Sequence, residues 1–196
     1  MKPQVAVLID YQNAHASGHE RYCDAFSPLH ECLLDPSMLA QKVVEKRAPG
    51  GEVAHVRVYR GRPDARKQPT LASVNDQQFS AWISDPKVDV IRRPLWYPRD
   101  YGEATCAESP REKGIDVKLA IDLIRLAYES SYDVFIVFSR DTDLLPPIEM
   151  VREYKMGHVE VAGWDGSSRL RLPKLWHHEL DAADFEAVRD TREYRT

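Results

Sequence analysis

The chain has 196 residues, which suits one globular domain, and 43% of them are hydrophobic and 30% charged. A formal net charge of −4 is not that of a strongly basic nucleic-acid binder. No apolar run approaches the roughly 18 residues that a membrane helix needs, and Met1-Lys2-Pro3 shows no signal-peptide architecture. We therefore expect a cytoplasmic protein with no membrane partner.

The three cysteines, Cys23, Cys32 and Cys106, are too few and too widely spaced to form a disulfide framework. Their spacing favours reduced thiols without a special role. Zinc bound by the three cysteines together with His19 or His30 is the alternative interpretation.

The first half of the chain predicts strands that alternate with helices. Residues 5–9 form a continuous apolar run, which is expected of a strand buried on both faces. Residues 14–35 lack periodicity and predict a long loop, insertion or lid. The following elements are predicted to be a helix beginning at Asp35-Pro36-Ser37, a strand at 52–59, a helix at 70–84 and a strand at 88–93.

The second half contains the clearest helix, at 114–129. Its apolar positions follow helical spacing, at Val117, Ala120, Ile121, Ile124, Ala127 and Tyr128. On that wheel Asp116 lies beside the apolar stripe, and Asp122 lies opposite it and faces solvent or only supports a site. The remaining elements are predicted to be a strand at 133–139, a helix from Pro146 to Lys155-Met156-Gly157, a strand at 158–162 and a helical tail at 167–196.

Alternation of strands and helices implies right-handed crossovers between parallel strands. We therefore predict an α/β protein, a three-layer α/β/α sandwich with a central, mainly parallel sheet. No composition shift or internal repeat divides the chain, so residues 1–196 are predicted to form a single domain.

Four aspartates mark the ends of predicted elements. Asp10 ends the first strand, Asp116 opens the helix at 114–129, and Asp141 and Asp143 follow the strand at 133–139. Ligands bind outside the carboxyl ends of strands in open parallel sheets, so distant carboxylates can meet there. Clustered carboxylates repel one another unless a cation is present, and oxygen ligands suit Mg²⁺ or Mn²⁺. The alternative is that these side chains cap helices and turns.

Other chemistries fit less well. A haloacid-dehalogenase phosphatase needs an aspartate two residues after Asp10, where Gln12 stands. The chain has no GxGxxG, GxxxxGK[ST] or GxSxG motif. Basic residues cluster at 57–67 and at 92–113, the second cluster with interleaved aromatic residues, and such mixtures can hold phosphates and stack on bases.

Several of these segments resemble NYN domains, a branch of the PIN-like nuclease superfamily. The resemblance covers nearly the whole chain. The first motif is matched by Ile9-Asp10-Tyr11-Gln12-Asn13, the KGVD-x-x-L-A-x-D-L signature by residues 113–123, the YD…SGDSDFxP segment by 132–146, the GKxVxV strand by 157–161 and the closing helix by 167–181.

The resemblance implies a PIN-like fold and a ribonuclease whose acidic pocket binds one or two Mg²⁺ or Mn²⁺ ions. It implies RNA as the partner, single-stranded or structured, cleaved to 5′-phosphate and 3′-hydroxyl ends. Asp10, Asp116 and Asp141 match the core acids of the family, Asp143 matches the fourth, and Asn13 matches the polar residue of the first motif.

Asp122 also matches a recurrent position of the family, and its role as a ligand is left open. Arg140 departs from the family pattern because it replaces a glycine beside the acids, and we expect it either to restrict the turn or to add a phosphate contact. The basic residues expected to hold RNA are Arg60, Arg62, Arg93, Lys113 and Arg140. The competing hypotheses are a non-catalytic NYN module that binds RNA or a protein partner, and a small-molecule phosphatase. Oligomeric state is open, with a homodimer as one option.

Overall fold

The computed structural model describes residues 1–28, 32–167 and 169–194. The strands are β1 (Gln4–Asp10), β2 (Glu52–Arg62), β3 (Val88–Pro94), β4 (Val134–Phe138), β5 (His158–Trp164) and β6 (Trp176–Leu180). The helices are α1 (Tyr11–Tyr22), α2 (Pro36–Glu45), α3 (Pro69–Trp82), α4 (Ile115–Tyr128), α5 (Leu145–Glu153) and α6 (Ala182–Ala187), and a short 3₁₀ helix covers Thr142–Leu144. In the part of the chain that the structure describes, each helix is too short or too polar to span a lipid bilayer.

The six strands form one parallel sheet in the order β3-β2-β1-β4-β5-β6. The chain moves outward from β1 to β3, then crosses back to place β4 on the other side of β1. This reversal puts a topological switch point between β1 and β4, where open α/β sheets bind their ligands. The carboxyl ends of these two strands are therefore the first place to look for a site.

Helices cover both faces of the sheet and make two hydrophobic cores. Alternate residues of β1 point into opposite cores: Val5, Val7 and Ile9 face α1 and α2, and Ala6 and Leu8 face α4 and α5. Because β1 is buried on both faces, its sequence is apolar throughout, as the sequence analysis recognised. The predicted three-layer α/β/α sandwich with a mainly parallel sheet is confirmed.

The prediction of a loop beginning at residue 14 is wrong, because α1 extends to Tyr22. The helix buries small and polar side chains instead of large apolar ones, so it carries no hydrophobic periodicity. Gly18 shows why: a Cβ there would lie 2.7 Å from the Phe185 ring and 2.8 Å from the Trp164 indole nitrogen. Whether the remainder of 14–35 acts as a lid stays a prediction.

The prediction of a helical tail at 167–196 missed strand β6. This strand reads Trp-His-His-Glu-Leu, which has little strand character. It docks because His178 lies 2.6 Å from the buried carboxylate of Glu160, which also accepts hydrogen bonds from Arg47. A polar strand can be buried when such charges are paired.

The predicted apolar stripe on α4 is only partly right, because Ala120, Ile124 and Ala127 pack against the core but the other three residues do not. Helix α4 has two apolar faces, and the one that packs on the sheet contains Ile115, Leu119, Leu123 and Leu126. Val117, Ile121 and Tyr128, by contrast, are 55%, 55% and 78% exposed. The sheet-facing side is therefore rotated from the predicted one.

That rotation buries Asp122, so the solvent-facing alternative of the two considered for it is wrong. Its side chain is fully buried and lies 3.1 Å from the Arg57 guanidinium. It also accepts hydrogen bonds from the Tyr59 hydroxyl at 3.0 Å and the Lys118 ammonium at 2.5 Å. These partners neutralise Asp122, so it stabilises the fold and is not a free ligand.

Cys23 and Cys32 are joined by a disulfide bond, which contradicts the expectation of reduced, unrelated thiols. Cys106 is a free, half-buried thiol. The disulfide links the end of α1 to the segment that leads into α2. His30, the other zinc ligand considered from the sequence, lies outside the described residues.

Candidate active site

A cavity of about 340 Å³ opens at the carboxyl ends of β1 and β4, at the switch point of the sheet. The residues that line this acidic cavity are Asp10, Gln12, Asn13, Ala16, Glu112, Ile115, Asp116 and Asp141. The structure thus brings together three of the four aspartates singled out from the sequence, although Asp10 and Asp141 are far apart along the chain.

Asp10 is the last residue of β1 and the N-cap of α1. Its carboxylate accepts hydrogen bonds from the Asn13 backbone N–H at 3.1 Å and the Ser139 hydroxyl at 3.0 Å. The capping role considered for Asp10 and the position in the cavity are therefore both present. Burial raises the pKa of the Asp10 carboxyl, and the charges of Asp141 and Asp116 raise it further, against the lowering effect of the two hydrogen bonds.

Ser139 connects Asp10 to Asp141. Its hydroxyl donates to Asp10 and accepts a hydrogen bond from the Asp141 backbone N–H at 3.2 Å. Asp141 in turn caps the short 3₁₀ helix, accepting from the Asp143 N–H at 2.9 Å. This chain of hydrogen bonds fixes two carboxylates on neighbouring strands in one orientation.

Asn13 orders the loop after β4 from the opposite side. Its side-chain oxygen accepts a hydrogen bond from the Arg140 backbone N–H at 3.2 Å. Asn13 therefore joins the start of α1 to the loop that carries Asp141. Its side chain also lines the acidic cavity, as expected of a site residue.

Asp116 enters the cavity from the first turn of α4. Gly114 is the N-cap of this helix, and its φ of +72° lies in the left-handed region that glycine adopts without strain. This turn directs the chain from an irregular loop into α4 beside β1. Arg93 covers the same turn: its Nε lies 3.7 Å from the point where a Cβ of residue 114 would stand.

Asp143 is not brought into the site. Its side chain is exposed, and it is not among the residues that line the acidic cavity. Asp143 belongs to the short 3₁₀ helix, and its backbone N–H donates to the carboxylate of Asp141, the N-cap of that helix. The sequence spacing predicted both Asp141 and Asp143 as site residues, and in the structure only Asp141 lines the cavity.

Glu112 is a cavity residue that the sequence analysis missed. It is half-buried and accepts a hydrogen bond from the Gly61 N–H. Burial raises the pKa of its carboxyl to about 7; among the weaker effects, the charges of Asp10 and Asp116 raise it and Arg60 lowers it. The sequence feature that could have identified Glu112 is its acidic side chain four positions before Asp116, within the cluster of basic residues at 92–113.

The basic residues predicted to hold RNA have different surroundings. Arg93 and Lys113 are exposed beside the start of α4. Arg62 is engaged in a bidentate pair with Asp76, at 2.9 and 2.7 Å. Only the first two are therefore presented to solvent beside the acidic cavity.

Arg60 and Arg140 are held within the fold. The Arg60 guanidinium lies 4.8 Å from the Tyr11 ring centroid and 5.0 Å from that of Trp82, and it donates to Gln78 at 2.8 Å. Arg140 is half-buried, and its Nε has no hydrogen-bond partner within the described part of the chain. Arg60 thus packs within the fold, and an RNA-binding role for it stays a prediction.

The donor set of the acidic cavity suits a hard cation. Among the described residues, no ion pair involves Asp10, Asp116 or Asp141, whereas Asp122 has three cationic neighbours. The three cavity aspartates do not all approach within 4.8 Å of one another. Mg²⁺ keeps several waters and needs only one or two carboxylates, so such a spacing fits a hydrated Mg²⁺ or Mn²⁺ ion.

The chain is similar to known proteins in sequence and in fold. The family model of the NYN domain matches residues 4–172. A crystal structure of a protein of unknown function from Vibrio parahaemolyticus has a similar fold, with a TM-score of 0.52 over 85% of each chain and 20% sequence identity. No curated protein matches the chain.

Proposed function

Because this chain belongs to the NYN domain family, we propose that it is a metal-dependent endoribonuclease that hydrolyses RNA phosphodiester bonds in the acidic cavity. Family membership indicates a nuclease-like, RNA-related function. The observation that carries the more specific proposal is the convergence of Asp10, Asp116 and Asp141 on one cavity without cationic partners among the described residues.

We assign the metal-holding role to Asp10, Asp116 and Asp141. Bound Mg²⁺ or Mn²⁺ would polarise a phosphoryl oxygen and lower the pKa of a coordinated water. Ser139 and Asn13 keep Asp10 oriented, so the carboxylate pays little reorganisation cost on binding. Asp143 is left out of this set because it does not line the cavity.

Glu112 is suited to move a proton in the same cavity. One of its oxygens is occupied by the Gly61 N–H, which leaves the other to hold a proton or accept one from water. In the metal-free protein this carboxyl has a pKa of about 7, and such a group exchanges protons efficiently near neutral pH. Glu112 would therefore serve as general acid or base.

Arg93 and Lys113 are placed to bind the RNA backbone. Both are exposed at the start of α4, where the backbone N–H groups of the first helical turn also point outward. Phosphate contacts of this kind position a strand without reading its sequence. The proposal therefore predicts weak sequence preference and strong dependence of binding on salt.

Cleavage of a 5′-labelled RNA by the purified protein tests the proposal. We expect activity with Mn²⁺ or Mg²⁺ that is abolished by EDTA and yields 5′-phosphate ends. Asp10→Asn and Asp141→Asn should each lower the rate by about 10³-fold, because loss of a metal ligand removes about 4 kcal/mol of transition-state stabilisation.

Asp89→Asn is the matched control. Asp89 is exposed and lies near the amino end of β3, at the opposite edge of the sheet. Its rate should stay within about threefold of wild type, which is about 0.6 kcal/mol. Unchanged cleavage by both cavity variants would refute the assignment. RNA binding without cleavage would instead support the non-catalytic NYN module.

A further inference from the structure

A second group of potential metal ligands lies at the far end of α1. The ligand atoms of His19, Cys23 and Cys32 all lie within 4.8 Å of one another. Cys32 is buried, and the other two side chains are half-buried. The acidic cavity lies at the beginning of α1, so this group is separate from it.

Two imidazole nitrogens in this region lack partners. The Nε2 atoms of His15 and His19 are buried and accept or donate no hydrogen bond within the described part of the chain. A buried polar atom without a partner costs about 1–3 kcal/mol, so its presence calls for an explanation. The two rings lie edge to face with centroids 6.2 Å apart.

Helical spacing explains why these side chains meet. His15, His19 and Cys23 follow one another at intervals of four residues, which places them on one face of α1 and its C-cap. Cys32 reaches the same face from the returning chain. That chain is held by Tyr11, whose hydroxyl accepts from the Leu34 N–H at 3.2 Å and donates to the Leu34 carbonyl at 3.1 Å.

His15 is also linked to Cys32 through a hydrogen bond to the Cys32 backbone. Because Nε2 of His15 has no partner, the ring makes this bond with its other nitrogen. Histidines that bind metals usually engage their second ring nitrogen in this way, which fixes the ring and its tautomer. His15 is therefore oriented with one nitrogen free.

We propose that the reduced protein binds a structural Zn²⁺ ion through His19, Cys23 and Cys32. His15 lies outside this 4.8 Å group, so it serves as the fourth ligand after its side chain moves toward the ion. Nitrogen and sulfur ligands favour zinc over Mg²⁺. The acidic cavity offers oxygen ligands, which favour Mg²⁺. Zinc bonds of about 2.3 Å to sulfur and 2.0 Å to nitrogen require ligand atoms about 3.3–3.8 Å apart, within reach of the observed cluster.

The disulfide and the zinc ion are alternative cross-links of the same two segments. A dithiol reductant transfers two electrons and two protons to the Cys23–Cys32 bond, giving two thiols and the oxidised reductant. Zinc binding then releases the two thiol protons as thiolates form. Either cross-link ties the chain that leads into α2 to the end of α1.

The test measures zinc in wild-type protein prepared with and without a dithiol reductant. We expect about one Zn²⁺ per chain in the reduced protein after dialysis and none in the oxidised protein. Co²⁺ in place of zinc should give the visible d–d bands of a tetrahedral site and thiolate charge-transfer bands. Cys23→Ser, Cys32→Ser and His19→Ala should lose the metal.

Cys106→Ser is the control, since that thiol is free and does not belong to the ligand group; it should keep the metal. Absence of zinc from the reduced wild-type protein would overturn the proposal, as would loss of zinc in Cys106→Ser alone. The Co²⁺ spectrum of the wild-type chain decides the matter even when a variant fails to fold. A spectrum without thiolate bands contradicts the proposal.

Discussion

The Glu112 carboxyl should make the metal-free protein less stable as pH rises. Its pKa is raised by burial to about 7 from an ordinary 4.5, so the folded state favours the protonated form. Protonated Glu112 stabilises the folded state relative to ionised Glu112. This contribution to the free energy of unfolding is complete below pH 4.5, declines as the pH rises and is lost above about pH 7. A pKa shift of this size corresponds to a change of about 3 kcal/mol in the free energy of unfolding. This is an upper figure, because solvent screens the charge of a half-buried side chain.

Glu112→Gln should therefore stabilise the protein at high pH. Glutamine keeps the shape and the oxygen that accepts from the Gly61 N–H, but it cannot ionise. We expect no difference from wild type near pH 4.5, and a gain of about 1–3 kcal/mol in the free energy of unfolding at pH 8.5. Urea denaturation in EDTA at the two pH values measures this difference.

Glu108→Gln is the control for this experiment. Glu108 is exposed and belongs to the same loop, so its substitution should shift stability equally at both pH values. Parallel pH dependence of wild type and Glu112→Gln would refute the reasoning. So would a variant that is less stable than wild type at pH 8.5, because ionised Glu112 would then be favoured by its surroundings.

Two further substitutions test the packing around the site. Asp122→Asn should destabilise the fold by about 3 kcal/mol in urea denaturation, because it leaves the Arg57 guanidinium, whose side chain is 11% exposed, without its buried counter-charge. Gly18→Ala should lower stability by about 1–3 kcal/mol, measured in the same way, because the new Cβ would collide with Trp164 and Phe185.

Matched substitutions control these two effects. Asp89→Asn alters a carboxylate that is 63% exposed, and it should change stability by less than about 0.5 kcal/mol. Gly163→Ala adds a Cβ that meets no atom closer than 3.7 Å, so it should be tolerated. If Asp89→Asn lost as much stability as Asp122→Asn, the buried charge would not be the cause. If Gly163→Ala lost as much as Gly18→Ala, the close approach of the new Cβ would not be the cause.

Much of the site could be predicted because it depends on local pattern. Asp10 and Asp141 each follow a strand that is apolar throughout, and such strands are recognisable wherever they lie in a parallel sheet. The carboxyl ends of parallel strands lie at the same edge of the sheet, and this does not depend on the segments that connect them. The NYN family was likewise recognisable from contiguous motifs, and its assignment is confirmed.

The errors arose where tertiary packing chooses between local alternatives. Helix α4 offers two apolar faces, and only contact with the sheet decides that Leu119 and Leu123 are inside and Ile121 outside. The burial of Asp122 follows from that choice and depends on Arg57, which lies on a different strand. No pattern within residues 114–129 contains this information.

Long-range contacts also explain the missed elements. Helix α1 buries Gly18 against the ring of Phe185, so its inward face reads as polar until both ends of the chain are considered together. Glu112 acquires its raised pKa from burial and from neighbours at residues 10 and 60, far away in sequence. Such environments are created by the fold and have no local signature.

The pairing of β1 with β4 has a consequence for the timing of synthesis. Asp10 leaves the ribosome about 130 residues before Ser139 and Asp141, and β4 must insert beside β1 before these side chains meet. A nascent chain that ends before β4 therefore carries Asp10 and Asp116 without the third carboxylate. On the proposed function, the protein cannot cut the messenger from which it is being translated until β4 and Asp141 have emerged.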